Sequence, residues 1–130
     1  MENKFYEILL NNEKIGSTKL EKADVPMGVV FGQIIFSDKL YCYSYLKEYC
    51  LNNNIDFLDY SEDRFISTRN IPNLKVLNSD SREIKGMSCF IAGMDTDSFE
   101  ITIEGIVYPF YEEEFPNHVK SYNEMNNDQQ

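Results

Sequence analysis

The chain has no tryptophan, a single histidine, and three cysteines that form no CxxC pair. A structural zinc site usually takes four ligands from paired Cys and His residues, and His118 with Cys42, Cys50 and Cys89 does not supply that pattern. Three unpaired cysteines are also unlike the disulfide framework of a small secreted protein. The sequence therefore predicts no metal site, no cofactor and a reducing, cytoplasmic environment.

Long apolar runs are also absent. The longest apolar stretch, VPMGVVFGQIIF, is interrupted by Gly and Gln and is too short to span a membrane. The N-terminal sequence MENKFYEILL lacks the basic region, the long apolar run and the small-residue cleavage site of a signal peptide. We therefore expect neither insertion into a membrane nor secretion.

Basic residues are scarce in the second half of the chain. Lys and Arg total 12 against 22 Asp and Glu, which gives a formal net charge of -10. Residues 1–54 contain six basic and seven acidic side chains, residues 55–130 contain six and fifteen, and no Lys or Arg lies between Lys85 and Lys120. Such a charge repels nucleic acids and anionic membranes and attracts basic proteins. The alternative is that the acidity serves solubility alone.

The length of 130 residues suits one domain. Hydrophobic residues make up 42% of the chain and charged residues 26%, which is typical of a protein with a packed core. We expect a single globular domain over residues 1–125 and a frayed tail over residues 126–130.

The apolar pattern predicts an α+β fold, mainly an antiparallel sheet built from hairpins. Strand-turn-strand patterns surround NNEK, NSDS and MDTDS, and VVFGQIIF has the composition of a buried strand. The segment SDKLYCYSYLKEYCLNNN predicts one main helix over about residues 38–51, with Ser37 as its N-cap and an apolar face packed on the sheet. Pro116 favours the start of a short C-terminal helix.

The predicted last strand, FEITIEGIVY, places two glutamates on one face. Its alternating apolar residues are expected to point inward: Phe99, Ile101, Ile103 and Val107. Glu100 and Glu104 then share the outer face with Thr102. Paired carboxylates can hydrolyse glycosides when they line a cleft and one of them has a raised pKa. A small enzyme or small-ligand binder that uses these carboxylates and tyrosines is therefore an alternative function.

Three other patterns match known sites poorly. The segment DVPMGVVFG contains two glycines, but a phosphate-binding loop needs GxGxxG or GxxxxGK[ST] before a helix, so a turn into a buried strand explains it better. Glu114 and His118 have the spacing of two metal ligands on one helix, but Pro116 interrupts that helix. Cys89 would need His118 as a base to act as a nucleophile. No catalytic, cofactor-binding or metal-binding residue is assigned.

The segment YPFYEEEFP, residues 108–116, combines four aromatic residues with three glutamates. If its prolines keep it out of regular pairing, its aromatic rings cannot all be buried, and exposed aromatic rings beside acids are typical of protein interfaces. The predicted partner-binding residues are Tyr108, Tyr111, Phe115, Glu112, Glu113, Glu114, Glu100 and Glu104. The alternative is that Phe110 and Phe115 fill the edge of the core while the glutamates precede a helix.

The sequence thus predicts a non-enzymatic cytosolic module that binds a basic protein through an acidic, aromatic-rich face. In general type it is similar to immunity proteins, which block basic toxins such as nucleases, because it is small, acidic and single-domain. That similarity implies a basic protein partner and indicates no particular residues, while the charge of the chain argues against nucleic acid and anionic membranes as partners. A third possibility is an accessory domain that joins copies of itself into a homo-oligomer.

Overall fold

A computed structural model describes the backbone of residues 4–128 and the side chains of residues 4–125. Over this range the chain forms nine strands in one antiparallel sheet and three α-helices, so the predicted α+β class is confirmed. The strands are β1 (Tyr6–Leu10), β2 (Glu13–Thr18), β3 (Lys22–Asp24), β4 (Val29–Phe36), β5 (Phe57–Tyr60), β6 (Phe65–Thr68), β7 (Leu74–Leu77), β8 (Ser88–Met94) and β9 (Phe99–Glu104). The helices are α1 (Tyr43–Asn52), α2 (Phe110–Glu114) and α3 (Pro116–Asp128), and a short 3-10 helix (Val25–Met27) precedes β4.

The strand order is β5-β6-β8-β9-β4-β2-β1-β7, and β3 pairs with the same edge of β4 as β2. The hairpins predicted around NNEK and MDTDS are β1–β2 and β8–β9. The hairpin predicted around NSDS is reduced to a single bridge between Leu77 and Glu83. The Asn78 side chain holds this turn, because its Oδ1 accepts the backbone N–H groups of Asp80 and Arg82 at 2.9 Å each.

The inward side chains of the strands pack into one core. Ile8, Ile91 and Ile101 are fully buried. Ile66 on β6 and Val76 on β7 belong to the same cluster although their strands lie towards opposite ends of the strand order, so the sheet curls around its inner face. Burial of each such side chain contributes about 1.5–3 kcal/mol. The core therefore holds both halves of the sheet together.

The main helix is confirmed, but it begins at Tyr43 and the Ser37 cap is wrong. The cap comes from another part of the chain, since the Tyr43 backbone N–H donates to Asp95 Oδ1 at 2.9 Å in the β8–β9 turn. Asp38 instead accepts the N–H of Leu40 at 2.8 Å in a tight turn. On the predicted apolar face of α1, Leu46, Tyr49 and Cys50 are buried and Cys42 and Tyr45 are half-buried.

The acidic segment IDFLDYSED contains strand β5, which the sequence did not predict. In this strand the apolar Leu58 and Tyr60 point outward and the charged Asp59 points inward, which reverses the usual placement of apolar and charged side chains. The Asp59 carboxylate accepts a hydrogen bond from the Tyr43 hydroxyl and lies 2.8 Å from Lys47 Nζ. These two contacts lower the pKa of Asp59. Helix α1 therefore lies on the inner side of the sheet at this edge.

Strand β9 ends earlier than predicted. Phe99, Ile101 and Ile103 are buried as expected, but Val107 is 69% exposed, so its inward placement is wrong. The reason is Gly105, whose φ of 70° turns the chain out of the strand. At the C-terminus, α3 starts at Pro116 as expected and its backbone is helical to Asp128. Residues 129–130 lie outside the described part, and the frayed tail over 126–130 stays a prediction.

Candidate functional site

The segment YPFYEEEFP forms helix α2 and closes one end of the core. Tyr111 is 0% exposed and its hydroxyl donates to the Val29 carbonyl at 2.9 Å. Phe115 is 5% exposed and its ring centroid lies 5.8 Å from that of Tyr6. Tyr111 and Phe115 are therefore not available to a partner, contrary to the sequence-based prediction. Pro109 and Pro116 precede and begin helices, where no backbone N–H is needed, so the two aromatic residues face the core four positions apart.

Tyr108 is the member of this segment that remains at the surface. Its side chain is 48% exposed. The ring stacks on Tyr111 with centroids 5.2 Å apart, and the hydroxyl donates to the Val25 carbonyl at 3.2 Å. Part of Tyr108 is thus committed to holding α2 against the loop before β4.

The three glutamates of this segment have different environments. Glu112 and Glu113 are exposed. The Glu114 side chain is only 12% exposed. Its carboxylate accepts hydrogen bonds from the Tyr6 hydroxyl at 3.0 Å and from the Asn78 amide at 2.9 Å. Glu114 therefore joins α2 to β1 and to the turn after β7, and its part in binding a partner stays a prediction.

A cleft of about 570 Å³ lies beside Glu114 and contains His118. His118 Nε2 is 2.8 Å from the Leu20 carbonyl oxygen. Because a carbonyl oxygen only accepts hydrogen bonds, the Nε2–H group is the donor. The His118 ring also stacks on Phe115, with centroids 5.8 Å apart. Both Glu114 and His118 are thus occupied by bonds that hold the fold. Across residues 4–128, no group of three or more His, Cys, Asp or Glu side chains is placed to hold a metal ion.

Cys50 is buried, and Cys89 is partly buried against the core. Burial raises the pKa of the Cys50 thiol to about 11. Burial, together with the charge of Glu83, raises the pKa of the Cys89 thiol to about 12. A nucleophilic cysteine needs a thiolate at neutral pH, so the structure gives these two thiols no support as nucleophiles.

Glu100 and Glu104 project from the outer face of β9, as the alternation predicted. The Glu100 carboxylate lies 3.2 Å from Lys22 Nζ. Glu104 Oε1 accepts the Ser88 hydroxyl at 2.9 Å. Neither glutamate lines the cleft that contains His118. Glu100 and Glu104 therefore do not converge with His118 in one pocket.

The outer face of the sheet is apolar over several strands. The register aligns Tyr60, Phe65 and Met94 in one row across β5, β6 and β8. A second row crosses β8, β9 and β4 and includes Phe90 and Phe31. We call this surface the outer face and define it by Phe31, Leu58, Tyr60, Phe65, Phe90 and Met94.

The outer face is accessible because α1 lies on the opposite side of the sheet. Leu58 is 52% exposed and Tyr60 is 58% exposed, and the other four side chains are half-buried. The sequence contained a signal for this surface. In SCFIAGM, Cys89 and Ile91 point inward while Phe90 and Met94 point outward, so β8 is apolar on both faces. Such a pattern is typical of strands covered on both sides.

Acidic side chains surround the outer face. The β8–β9 hairpin, residues 88–104, contains four acids and no Lys or Arg. Two of them are paired, Glu100 with Lys22 and Asp95 with Arg64, whose Nε lies 2.7 Å from Asp95 Oδ2. Asp97 and Glu104 form no ion pair within the part of the chain that the structure describes. The surface is therefore both apolar and negatively charged.

The buried tyrosines predict a loss of stability at high pH. Burial raises the pKa of Tyr111 to about 12, and burial followed by the charge of Glu114 raises that of Tyr6. Both pKa values exceed the value of about 10 for a tyrosine in the unfolded chain. The stability that these two hydroxyls contribute to the folded state is therefore complete below about pH 10 and is lost as the pH rises towards 12. We expect the free energy of unfolding, measured with urea, to fall over this interval.

Two phenylalanine variants separate this effect from general alkaline damage. Tyr111→Phe removes a buried titrating hydroxyl and should make the decline between pH 10 and 12 less steep. Tyr60→Phe removes an exposed hydroxyl and should follow the wild type. If the free energy of unfolding fell equally in Tyr111→Phe and the wild type, ionisation of the Tyr111 hydroxyl would not be the cause of the loss.

The described helices offer no membrane-spanning segment, since none in residues 4–128 is both long and apolar enough.

The residues that the sequence predicted to act together are divided by the fold between the core, the surface of α2 and the outer face. Comparisons with protein-family models, with curated proteins and with solved structures each found no match, so the function has to be inferred from the surface of this chain itself.

Proposed function

We propose that this chain is a cytoplasmic protein-binding module whose outer face docks a basic protein. The observation that carries the proposal is strand β8, which is apolar on both faces although the described residues cover only the inner one. On the uncovered side, Met94 lies beside Phe65, which pairs with Tyr60, and Phe90 lies in a second row that includes Thr102 and Phe31. Contiguous apolar residues on a surface are typical of interaction sites, and free thiols suit the reducing cytosol.

The charge of the chain supports a basic partner. The net charge is -10, and Glu100, Glu104 and Asp97 lie on or beside the outer face. Complementary charge raises association rates by about ten- to a thousandfold at low salt. The apolar side chains of the outer face would then supply the buried contact that keeps the partner bound. Mechanistically, the acids attract the partner and the aromatic rings retain it.

Two double variants with equal changes in net charge test this assignment. We expect Glu100→Lys/Glu104→Lys to weaken binding of the basic partner by about tenfold or more at low salt, because the reversed charges repel it. Glu112 and Glu113 were also predicted from the sequence to bind the partner, but they lie on α2 and outside the outer face. Glu112→Lys/Glu113→Lys should therefore leave the affinity within about threefold of the wild type. The partner is captured with tagged protein from host lysate, and its affinity for each purified, folded variant is then measured by titration calorimetry.

The results separate three cases. A selective loss in Glu100→Lys/Glu104→Lys supports docking on the outer face. Equal losses in both double variants would mean that net charge alone attracts the partner, and the outer face would not be the docking surface. Failure to capture any stoichiometric partner at either low or high salt would overturn the proposed function.

A further inference from the structure

The sheet has an open edge at β5, and this edge adjoins the outer face. Strand β5 is the first in the strand order and pairs only with β6. The opposite edge, at β7, is occupied by the following segment: the Ile84 N–H donates to the Val76 carbonyl at 2.8 Å, and Leu77 bridges to Glu83. An open edge strand presents unpaired backbone groups on which another strand can form.

The register shows which backbone groups of β5 are free. The Arg69 N–H donates to the Asp56 carbonyl at 2.9 Å, so these opposed residues form a hydrogen-bonded pair. Bonded and non-bonded pairs alternate along an antiparallel ladder. The backbone N–H and C=O groups of Leu58 and Tyr60 therefore bond to β6, whereas those of Phe57 and Asp59 point away from it. No backbone partner for these groups is found within residues 4–128.

Side chains on both sides of this edge can contact an added strand. Leu58 and Tyr60 are more than half exposed on the outer face. On the inner side, Leu51 of α1 is 60% exposed. It lies one helical turn after Lys47, which contacts Asp59 on β5. A strand beside β5 would thus find apolar contacts for the side chains on each of its faces.

The charge at this edge discriminates between occupants. Asp56, Glu62 and Asp63 are exposed at this edge, and the exposed Arg69 opposite Asp56 offsets only one of these three charges. Lys47 and Arg64 are paired with Asp59 and Asp95. A second copy of this chain would bring the same acids against this edge and be repelled, whereas a basic segment would be attracted.

We propose that the basic partner adds an extended segment to β5 as a further strand. This inference rests on the proposed function and specifies how the partner is held. The backbone of the segment bonds to Phe57 and Asp59, its apolar side chains contact Leu58 and Tyr60, and its Lys or Arg side chains face the acids at the two ends of β5. Backbone pairing of this kind gives affinity, and the alternating side chains give specificity.

The test uses the full chain and a synthetic peptide of about eight residues that alternates Lys and Val, a length that suits one strand. Hydrogen exchange followed by NMR should show slower exchange at the amides of Phe57 and Asp59 when the peptide is added. The amides of Leu58 and Tyr60 already bond to β6 and should change much less. Unchanged exchange at Phe57 and Asp59 with the peptide bound would overturn strand addition.

Control peptides and variants exclude simple charge attraction. A peptide methylated at alternate backbone nitrogens keeps its charge but cannot bond to β5, and it should bind at least about tenfold more weakly. Glu62→Lys/Asp63→Lys should weaken peptide binding similarly, and Glu112→Lys/Glu113→Lys should not. Equal binding of both peptides would contradict the inference.

Further outcomes separate this inference from the proposed function. The partner could bind in a manner that depends on Glu100 and Glu104 but leaves the Phe57 and Asp59 amides unprotected. That result would support docking on the outer face and contradict strand addition at β5. If those amides are protected without peptide, and the mass in solution rises with protein concentration, the occupant is a second copy and the proposed basic segment is wrong.

Discussion

Replacing Tyr111 with alanine is expected to lower the free energy of unfolding by about 3–5 kcal/mol. The ring is fully buried between Tyr108 and Phe115, at centroid distances of 5.2 and 5.5 Å. Truncation opens a cavity at this position and removes the hydrogen bond to the Val29 carbonyl. Urea denaturation, followed by circular dichroism, measures the loss.

Tyr108→Ala is the matched control, because it removes the same type of ring from the same segment. Tyr108 is 48% exposed, and we expect a loss of about 1 kcal/mol. Equal losses for the two variants would show that Tyr111 does not have the special packing role described above. The comparison also bears on function, since any loss of binding in Tyr111→Ala would come from unfolding.

Gly28→Ala is expected to destabilise the protein by about 2–5 kcal/mol, combining about 1–2 kcal/mol for a left-handed backbone with about 1–3 kcal/mol for overpacking. Gly28 has φ 66° and ends the 3-10 helix before β4. An added Cβ would lie 2.6 Å from the Ile106 carbonyl oxygen. The backbone cannot withdraw easily, because the Ile106 N–H donates to the Gly28 carbonyl at 2.9 Å.

Gly105→Ala separates the two causes. Gly105 has φ 70°, but a Cβ there would contact the side chain of Met87, which is 86% exposed and can move away. We expect a loss of about 1–2 kcal/mol, the left-handed cost alone. Thermal and urea unfolding of both variants give the comparison. If Gly28→Ala were no worse than Gly105→Ala, the close approach to Ile106 would not limit that position.

Local patterns predicted the elements that depend on neighbouring residues. The turns NNEK and MDTDS and the alternation in β9 were sufficient for two hairpins and for the outward placement of Glu100 and Glu104. Strand β5 was missed because its charged residue points inward, an arrangement that is stable only with Tyr43 and Lys47 from α1. The start of α1 was missed because its cap, Asp95, lies 52 residues away.

The candidate site shows the same division between local and distant causes. The burial of Tyr111 depends on Val29, which lies 82 residues earlier in the chain, so YPFYEEEFP alone could not reveal it. The apolar outer face was encoded locally in SCFIAGM. Periodicity could not indicate which face of β8 the chain would cover, because that depends on the side of the sheet against which α1 packs.

The pairing of β4 with β9 also determines when folding can finish during synthesis. Val30 pairs with Ile103, so the edge of β4 that receives β9 has no partner until the ribosome has made the last strand. At about 5–20 residues per second, translation from β4 to β9 takes about 3–12 seconds. The nascent chain therefore exposes that edge and an incomplete core for seconds. Strand β9 can join β4 only late in translation or after the chain has left the ribosome.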